Sequence, residues 1–201
     1  MSQLYQPTKD KQLTDNIYQT KIKGLFYLKR NSFSDNRGFF AELAHLSQIE
    51  KVIKNPFIIK QINHSQSLDN VIRGFHAENW NKLTFITAGL AFCVLVDIQP
   101  QSDTFTQTES FRLGFSDNAL TGSLFISSGI ANSICVLKGP VEYTYCVDKL
   151  YKNRDKKGDQ PISLFDPDLN ISWPIPKQQM IISQRDKNAA TLRQLFPEKF
   201  T

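Results

Sequence analysis

Residues 61–82 read QINHSQSLDNVIRGFHAENWNK, and this stretch decides how the rest of the chain is interpreted. Hydrogen-bonding side chains occupy every second position of its first part: Gln61, Asn63, Ser65 and Ser67. Such alternation is typical of a β-strand with one polar face. A turn follows, and then a short strand that carries Arg73 and His76. Folded proteins depart from the apolar pattern of a core strand mostly where they do chemistry, so we predict a functional site here.

The sequence around this stretch predicts an all-β fold. Short β-strand patterns separated by Gly, Pro and Asn-Asp turns recur along the chain, at residues 57–63, 106–115, 120–127, 130–137 and 141–147. Residues 17–29 predict one or two strands around Gly24, and residues 83–98 a hairpin or a sharply bent strand. This spacing favours a sandwich or a closed jelly-roll barrel. Short peripheral helices are predicted before Val52 and, at the C-terminus, from Ser183 to about Phe196.

Length and composition predict one domain over residues 17–201, preceded by a polar and loosely attached tail at residues 1–16. No apolar run approaches membrane-spanning length and no signal peptide is evident, so we expect a cytoplasmic protein without a membrane partner. The three cysteines lie in strand patterns and are expected to be buried and reduced.

The net charge of +5 suits an anionic ligand. No basic stripe with interleaved aromatic residues is present, and the charge cluster at residues 152–157 is mixed in sign. We therefore expect no nucleic-acid partner.

Taken alone, His76 would more often be a structural histidine than a base. His64 has the opposite parity to Gln61 and Asn63, which predicts that it lies outside the site. A simple strand would place Arg73 and His76 on opposite faces, so both can reach one site only if the backbone bulges or bends near Gly74.

Several motifs together resemble the dTDP-4-dehydrorhamnose 3,5-epimerase family. They occur in family order, from about Phe33 to Leu192: Phe33-x-Asp35-x-Arg37-Gly38-Phe39-Phe40-x-Glu42, Gln61-x-Asn63-x-Ser65-x-Ser67, Val71-x-Arg73-Gly74-x-His76, Lys82-Leu83, Asp166-Pro167-Asp168-Leu169-x-Ile171-x-Trp173-Pro174 and Ser183-x-x-Asp186. Tyr145 and Tyr151 also keep the spacing of two family tyrosines. Each motif alone is weak, but the ordered combination is specific.

The resemblance implies a cupin-type jelly roll, a homodimer, and a cofactor-free isomerase that acts on a nucleotide-diphosphate sugar. Epimerisation next to a carbonyl requires a base, an enolate stabiliser and an acid on the opposite face. The resemblance implies His76 as the base, Asp186 as the carboxylate that orients it, and Tyr145 as the acid. We predict that Lys82 is the electrostatic partner of the enolate oxygen. Tyr143 shares the parity of Tyr145 and would be the acid if the register differs.

The resemblance implies that the remaining matched residues bind substrate. Arg73 and Lys82 would carry positive charge toward a diphosphate, and Gln61 and Asn63 would hydrogen-bond sugar or phosphate. The resemblance implies that Arg37, Phe40, Glu42 and Tyr151 hold the nucleotide, the first three often across a dimer interface through an exchanged strand.

Departures from the family pattern leave alternatives open. Asn132 stands where the family usually has a second histidine, and an amide cannot exchange protons at neutral pH. We expect Asn132 to bind substrate, and an Asn-Ser pair at this place also resembles relatives that epimerise GDP-linked 4-keto heptoses. A non-catalytic cupin that binds a nucleotide sugar is a second possibility. A metal-dependent cupin is a third, but His76 and Glu78 would supply at most two ligands and no other histidine follows them, so we predict no metal site.

Overall fold

The computed structural model describes residues 3–116, 118–153, 159 and 161–200. Most of the charge cluster at residues 152–157 lies outside these ranges. The strands are β1 (Ile17–Gln19), β2 (Leu25–Lys29), β3 (Asn31–Asp35), β4 (Gly38–Glu42), β5 (Gln61–Ser67), β6 (Val71–His76), β7 (Lys82–Asp97), β8 (Thr108–Gly114), β9 (Gly122–Ile126), β10 (Ile130–Val147) and β11 (Ile181–Ile182). The helices are α1 (Leu46–Ile53), α2 (Gln184–Lys187) and α3 (Leu192–Leu195). The predominance of strands confirms the all-β prediction.

Two long antiparallel strands, β7 and β10, form the spine of the main sheet. They pair from Lys82 opposite Val147 to Asp97 opposite Ile130. One half of β7 pairs with β9 and the other half with β8, while β10 pairs first with β6 and then with β5. The segment predicted as a hairpin or a bent strand is therefore one irregular strand, and the two strands predicted within residues 130–147 are also continuous.

Both long strands are irregular where Gly89 of β7 lies next to Pro140 of β10. Gly89 has φ +81°, and a Cβ there would lie 2.5 Å from the Pro140 carbonyl oxygen, so a larger residue does not fit. The register between β10 and β7 shifts at three points between Val136 and Tyr143. Such irregular pairing interrupts the strict alternation of side chains along a strand, which decides the orientation of the side chains beyond it.

Apolar side chains fill the space inside the curved sheet and two layers outside it. The inner cluster includes Leu95, Phe111 and Val141. The segment from Ile162 to Phe200 packs on one outer layer with Phe75, and α1 packs on the other through Ile49. The C-terminal segment is thereby held against β6, the strand that carries His76.

Residues 3–16 differ from the loosely attached tail that the sequence predicted. Tyr5 is buried and its ring packs against that of Phe111. Its backbone N–H donates to the Ser110 carbonyl, and its hydroxyl donates to the Gln19 carbonyl. A polar sequence with one well-placed aromatic residue is enough to attach a segment to a sheet, because an aromatic ring buries a large apolar area.

Among the described residues, none of the helices has the length and apolar character needed to cross a lipid bilayer.

Candidate active site

A cavity of about 280 Å³ opens between β5, β6, the start of β7 and β10. Its walls are formed by Ser65, Arg73, His76, Glu78, Lys82, Asn132, Ile134, Tyr143, Tyr145, Tyr151, Asp159 and Arg185. Most of these side chains are polar or charged, which suits a polar ligand such as a sugar phosphate.

Gly74 allows Arg73 and His76 to face the same cavity. It has φ +126°, and a Cβ there would lie 2.6 Å from the Ser133 Cβ atom, so only glycine fits. The pairing of β6 with β10 shifts between Asn132 and Ile134, at this glycine. The break that the sequence required near Gly74 is therefore present.

His76 and Asp186 form a hydrogen-bonded pair at the cavity wall. The His76 Nε2 atom lies 2.7 Å from Asp186 Oδ1, and the Gly74 N–H donates to Oδ2 at 3.5 Å. Burial by itself would raise the pKa of the Asp186 carboxyl, but the hydrogen bonds and charge of His76, together with those from Gly74 and Ser183, hold it below its usual value. Asp186 is thus an ionised, almost fully buried partner for the imidazole.

The position of Asp186 depends on the C-terminal segment. Strand β11 pairs in parallel with β6, with Ile182 opposite Ile72, and this pairing brings the start of α2 next to the histidine. The Ser183 Oγ atom caps α2 by accepting from the Asp186 N–H at 3.1 Å. The single helix predicted here is in fact two short helices, α2 and α3, because α2 already ends at Lys187.

Lys82 reaches the cavity from the first position of β7. Its ammonium group donates to Glu78 Oε2 and to Asn132 Oδ1, both at 2.8 Å, and lies 5.3 Å from the centre of the Tyr145 ring. Only 7% of the Lys82 side chain is exposed. A buried cation is thus fixed by three groups around it.

Tyr143 and Tyr145 both line the cavity, and their ring centres are 5.6 Å apart. They have odd numbers whereas Asn132 and Ile134 have even ones, and the irregular pairing in the middle of β10 interrupts the strict alternation, so that all four line the same cavity. Burial raises the pKa of the Tyr143 phenol well above its usual value, although a hydrogen bond with Thr84 partly opposes this. Tyr145 is only half-buried.

The structure thus brings seven of the predicted site residues together: His76, Asp186, Lys82, Tyr145, Arg73, Asn132 and Tyr151. Gln61 and Asn63 lie on the same face of β5 but do not line the cavity. The Gln61 Nε2 atom donates to Asn63 Oδ1 at 2.6 Å, and Gln61 Oε1 accepts from the Tyr151 N–H. These two residues therefore support the cavity rim in this structure.

Arg37, Phe40 and Glu42 lie elsewhere, on the two-stranded β3–β4 hairpin. Arg37 pairs with Asp35 at 2.6 Å, and Glu42 accepts from Asn31 at 3.1 Å. Arg37 and Phe40 line a separate cavity of about 450 Å³. Within one chain, these residues are not part of the His76 cavity.

Sequence reasoning did not assign Glu78, Ser65, Asp159 or Arg185 to the site. Ser65 continues the polar alternation of β5, which was a usable signal. Arg185 precedes Asp186 and pairs with Asp159 at 2.9 Å, and no spacing rule indicates this pair. Within the described ranges, no group of three or more His, Cys, Asp or Glu residues is arranged to hold a metal ion.

Comparison with known proteins decides the family. A family model described as dTDP-4-dehydrorhamnose 3,5-epimerase matches residues 19–194. The chain belongs to this family. The dTDP-4-dehydrorhamnose 3,5-epimerase of Escherichia coli (strain K12) is 33% identical to it over 185 residues, which cover 90% of this chain and 96% of that protein. A Streptomyces niveus relative described as a dTDP-4-dehydrorhamnose 3-epimerase is 27% identical over 175 residues, covering 85% and 81%.

A solved structure supports the same conclusion. The crystal structure of dTDP-6-deoxy-D-glucose-3,5-epimerase from Legionella pneumophila Philadelphia 1, in complex with dTDP-4-keto-L-rhamnose, matches with a TM-score of 0.79 and 30% identity, covering 91% of this chain and 95% of that one. The jelly-roll prediction is confirmed for this dTDP-4-dehydrorhamnose 3,5-epimerase family member.

Proposed function

We propose that this protein epimerises a nucleotide-linked 4-keto-6-deoxy sugar at C3, C5 or both, in the manner of dTDP-4-dehydro-6-deoxyglucose conversion to dTDP-4-dehydrorhamnose. The observation that carries the proposal is the His76–Asp186 pair, which faces a cavity also lined by Lys82 and Tyr145. The family and the names of the relatives support the reaction class.

His76 is the base in this proposal. Imidazole titrates near neutral pH, where proton abstraction next to a carbonyl needs its base. Because Nε2 is bound to Asp186, Nδ1 is the ring nitrogen left to take the proton. The carboxylate fixes the tautomer and stabilises the imidazolium that forms.

Lys82 and Asn132 stabilise the enolate. Removing a proton at C3 or C5 places negative charge on the C4 oxygen, and a fixed ammonium group in a buried site stabilises that charge more than water does. A donor from the Asn132 amide would add to it. The electron pair then returns to carbon as a proton arrives from the other face.

Tyr145 is the acid that returns the proton. It is more accessible than Tyr143, and Lys82 lies over its ring, where the positive charge favours the phenolate left after donation. The raised pKa and near-complete burial of Tyr143 make that phenol a poorer donor. The position of Arg73 and Arg185 at the cavity suits a diphosphate.

The nucleotide end of the site is proposed to need a second subunit. The β3–β4 hairpin exposes 60% of Phe33, 59% of Phe39 and 66% of Phe40. Clustered exposed aromatic residues favour a protein–protein contact. In a homodimer, this hairpin would present Arg37, Phe40 and Glu42 to the partner's cavity. Sedimentation velocity tests the dimer, and Phe40→Ser should shift it toward the monomer.

A cytoplasmic location, without nucleic-acid or membrane partners, remains part of the proposal. The three cysteines are buried and unpaired, which suits a reducing compartment.

Proton exchange followed by NMR tests the function. The protein is incubated in D₂O with dTDP-4-keto-6-deoxyglucose and, separately, with a GDP-linked 4-keto sugar. Deuterium at C3 and C5 supports a 3,5-epimerase, and deuterium at one carbon supports a mono-epimerase. Exchange with the GDP-linked sugar alone would indicate instead an epimerase of GDP-linked 4-keto heptoses. Saturable binding without exchange would overturn catalysis in favour of a ligand-binding cupin.

A further inference from the structure

Glu78 is a charged residue of the cavity to which the proposed mechanism gives no role. It lies in the segment between β6 and β7, and only 14% of its side chain is exposed. Its carboxylate accepts a hydrogen bond from the Lys82 ammonium group at 2.8 Å. A buried carboxylate is costly unless it is paired, so this contact stabilises both charges.

Lys82 connects Glu78 to Asn132. The same ammonium group donates to Asn132 Oδ1 at 2.8 Å. An ammonium group has only donors, whereas an amide has an acceptor oxygen and a donor nitrogen. Only one of the two amide orientations can therefore form a hydrogen bond with the cation. The oxygen must face Lys82, and the Nδ2 group is turned away from it.

The Nδ2 group of Asn132 is consequently available to a ligand. Asn132 lines the cavity, and among the described residues its Nδ2 atom makes no hydrogen bond. Its two N–H donors suit an oxygen of the bound sugar. Without the cation, the amide could rotate and present its oxygen instead.

We propose that Glu78 is a positioning residue that acts through Lys82 to hold the Asn132 amide with its N–H donors toward the substrate. The inference rests on the proposed function for its consequence in catalysis. The ordered chain Glu78–Lys82–Asn132 itself exists without substrate, so it is tested separately.

The first test is NMR of the Asn132 side-chain amide in the free protein. Its NH₂ signals are assigned by their loss in Asn132→Ala. Glu78→Gln removes the charge but keeps the size of the side chain, and it should shift or broaden these signals. Asp168→Asn is the matched control, because it removes the carboxylate of the Arg193–Asp168 pair, outside the cavity. Unchanged Asn132 signals in folded Glu78→Gln would overturn the proposal.

The second test is a double-mutant cycle on the exchange reaction. Glu78→Gln and Asn132→Ala should each lower kcat about tenfold with KM changed less than about twofold, and the double variant should be no slower than the slower single variant. Losses that multiply in the double variant would overturn the proposal, because they indicate independent roles. Asp168→Asn should keep the wild-type kcat.

The two tests separate failure of this inference from failure of the proposed function. A wild-type protein that exchanges no proton with any 4-keto nucleotide sugar refutes the function, whereas the amide signals still decide whether Glu78 positions Asn132. If Glu78→Gln does not fold, Glu78→Asp takes its place, because it keeps the charge but moves it away from Lys82 by shortening the side chain by one methylene group. It should shift the same signals, and no shift would again overturn the proposal.

Discussion

Two of the histidine–carboxylate pairs in this molecule lie on opposite faces of the same sheet. His76 and Asp186 are 2.7 Å apart beside the cavity, with side-chain exposures of 26% and 3%. His64 and Glu142 are 2.5 Å apart on the outer face, with exposures of 59% and 23%. The contacts are alike, but only the first joins a ligand cavity to a buried carboxylate. Hydrogen bonding between the residues is thus not sufficient for a catalytic pair.

The carboxylates of the two pairs differ in what keeps them ionised. The hydrogen bond from Gln66 is the largest cause of the lowered pKa of Glu142, and His64 adds to it at an exposed site. For Asp186, burial acts in the opposite direction and is overcome by His76, Gly74 and Ser183. The ionised state of the buried Asp186 carboxylate therefore depends on its hydrogen-bond partners. Replacing Asp186 should consequently lower activity more than replacing Glu142.

Replacing the two histidines should give the largest contrast. His76→Asn should lower the rate of deuterium incorporation about a thousandfold, because it removes the proposed base. His64→Asn should change this rate less than about twofold, because His64 is not among the residues that line the cavity. Equal losses in the two variants would contradict the assignment.

Replacing the carboxylates should give a smaller contrast. Asp186→Asn should lower kcat by about a hundredfold, because an amide neither fixes the tautomer nor stabilises the imidazolium as well. Glu142→Gln is the control and should retain kcat to within about twofold. The initial rates of C3 and C5 exchange give both values, and an active Asp186→Asn enzyme would argue against the pair.

Tyr143 and Tyr145 differ in the same way, because Tyr143 is buried and Tyr145 is more accessible. Tyr145→Phe should lower kcat by about thirtyfold, and Tyr143→Phe by less than about fivefold, because general acid catalysis needs a donor that reaches the substrate. The reverse order would make Tyr143 the acid. Thermal unfolding of both variants checks that the losses do not come from misfolding.

The smallest effect concerns stability at acid pH. Because the Asp186 pKa is lowered in the folded state, its ionisation stabilises the fold above the unfolded-state pKa of about 3.9, and this stabilisation is lost as the pH falls through the folded-state pKa. The difference in free energy of unfolding between wild type and Asp186→Asn should rise as the pH goes from about 2.5 to about 5 and then stay level. Urea titrations measure it, with Glu142→Gln as an exposed pair that should show a weaker trend. A difference independent of pH would contradict this assignment of the shift.

Much of the fold was accessible from the sequence because local patterns report local structure. The alternation from Gln61 to Ser67 predicted the two faces of β5, and the conflict between Arg73 and His76 predicted the break at Gly74. The attachment of the tail through Tyr5 was missed, because Tyr5 makes its contacts with Phe111, far away in the chain.

The site was predictable only in part. Asp186 entered through the resemblance, since no spacing rule places it 110 positions from His76. Glu78 was considered only as a possible metal ligand, because its contact with Lys82 depends on how the segment after β6 folds back. The irregular register of β10, which turns Asn132 and Tyr145 to one side, has no signal in a simple period-two pattern.

The pairing of β11 with β6 has a consequence for protein synthesis. A ribosome that has just translated His76 must add 110 further residues before Asp186 exists, which takes roughly 6 to 22 s at ordinary elongation rates. The sheet strands from β1 to β10 are complete well before that point. A nascent chain can therefore complete the strand walls of its cavity before it can orient its histidine, and a ribosome stalled in between would carry an inactive chain that also lacks the C-terminal part of the cavity wall and of the core.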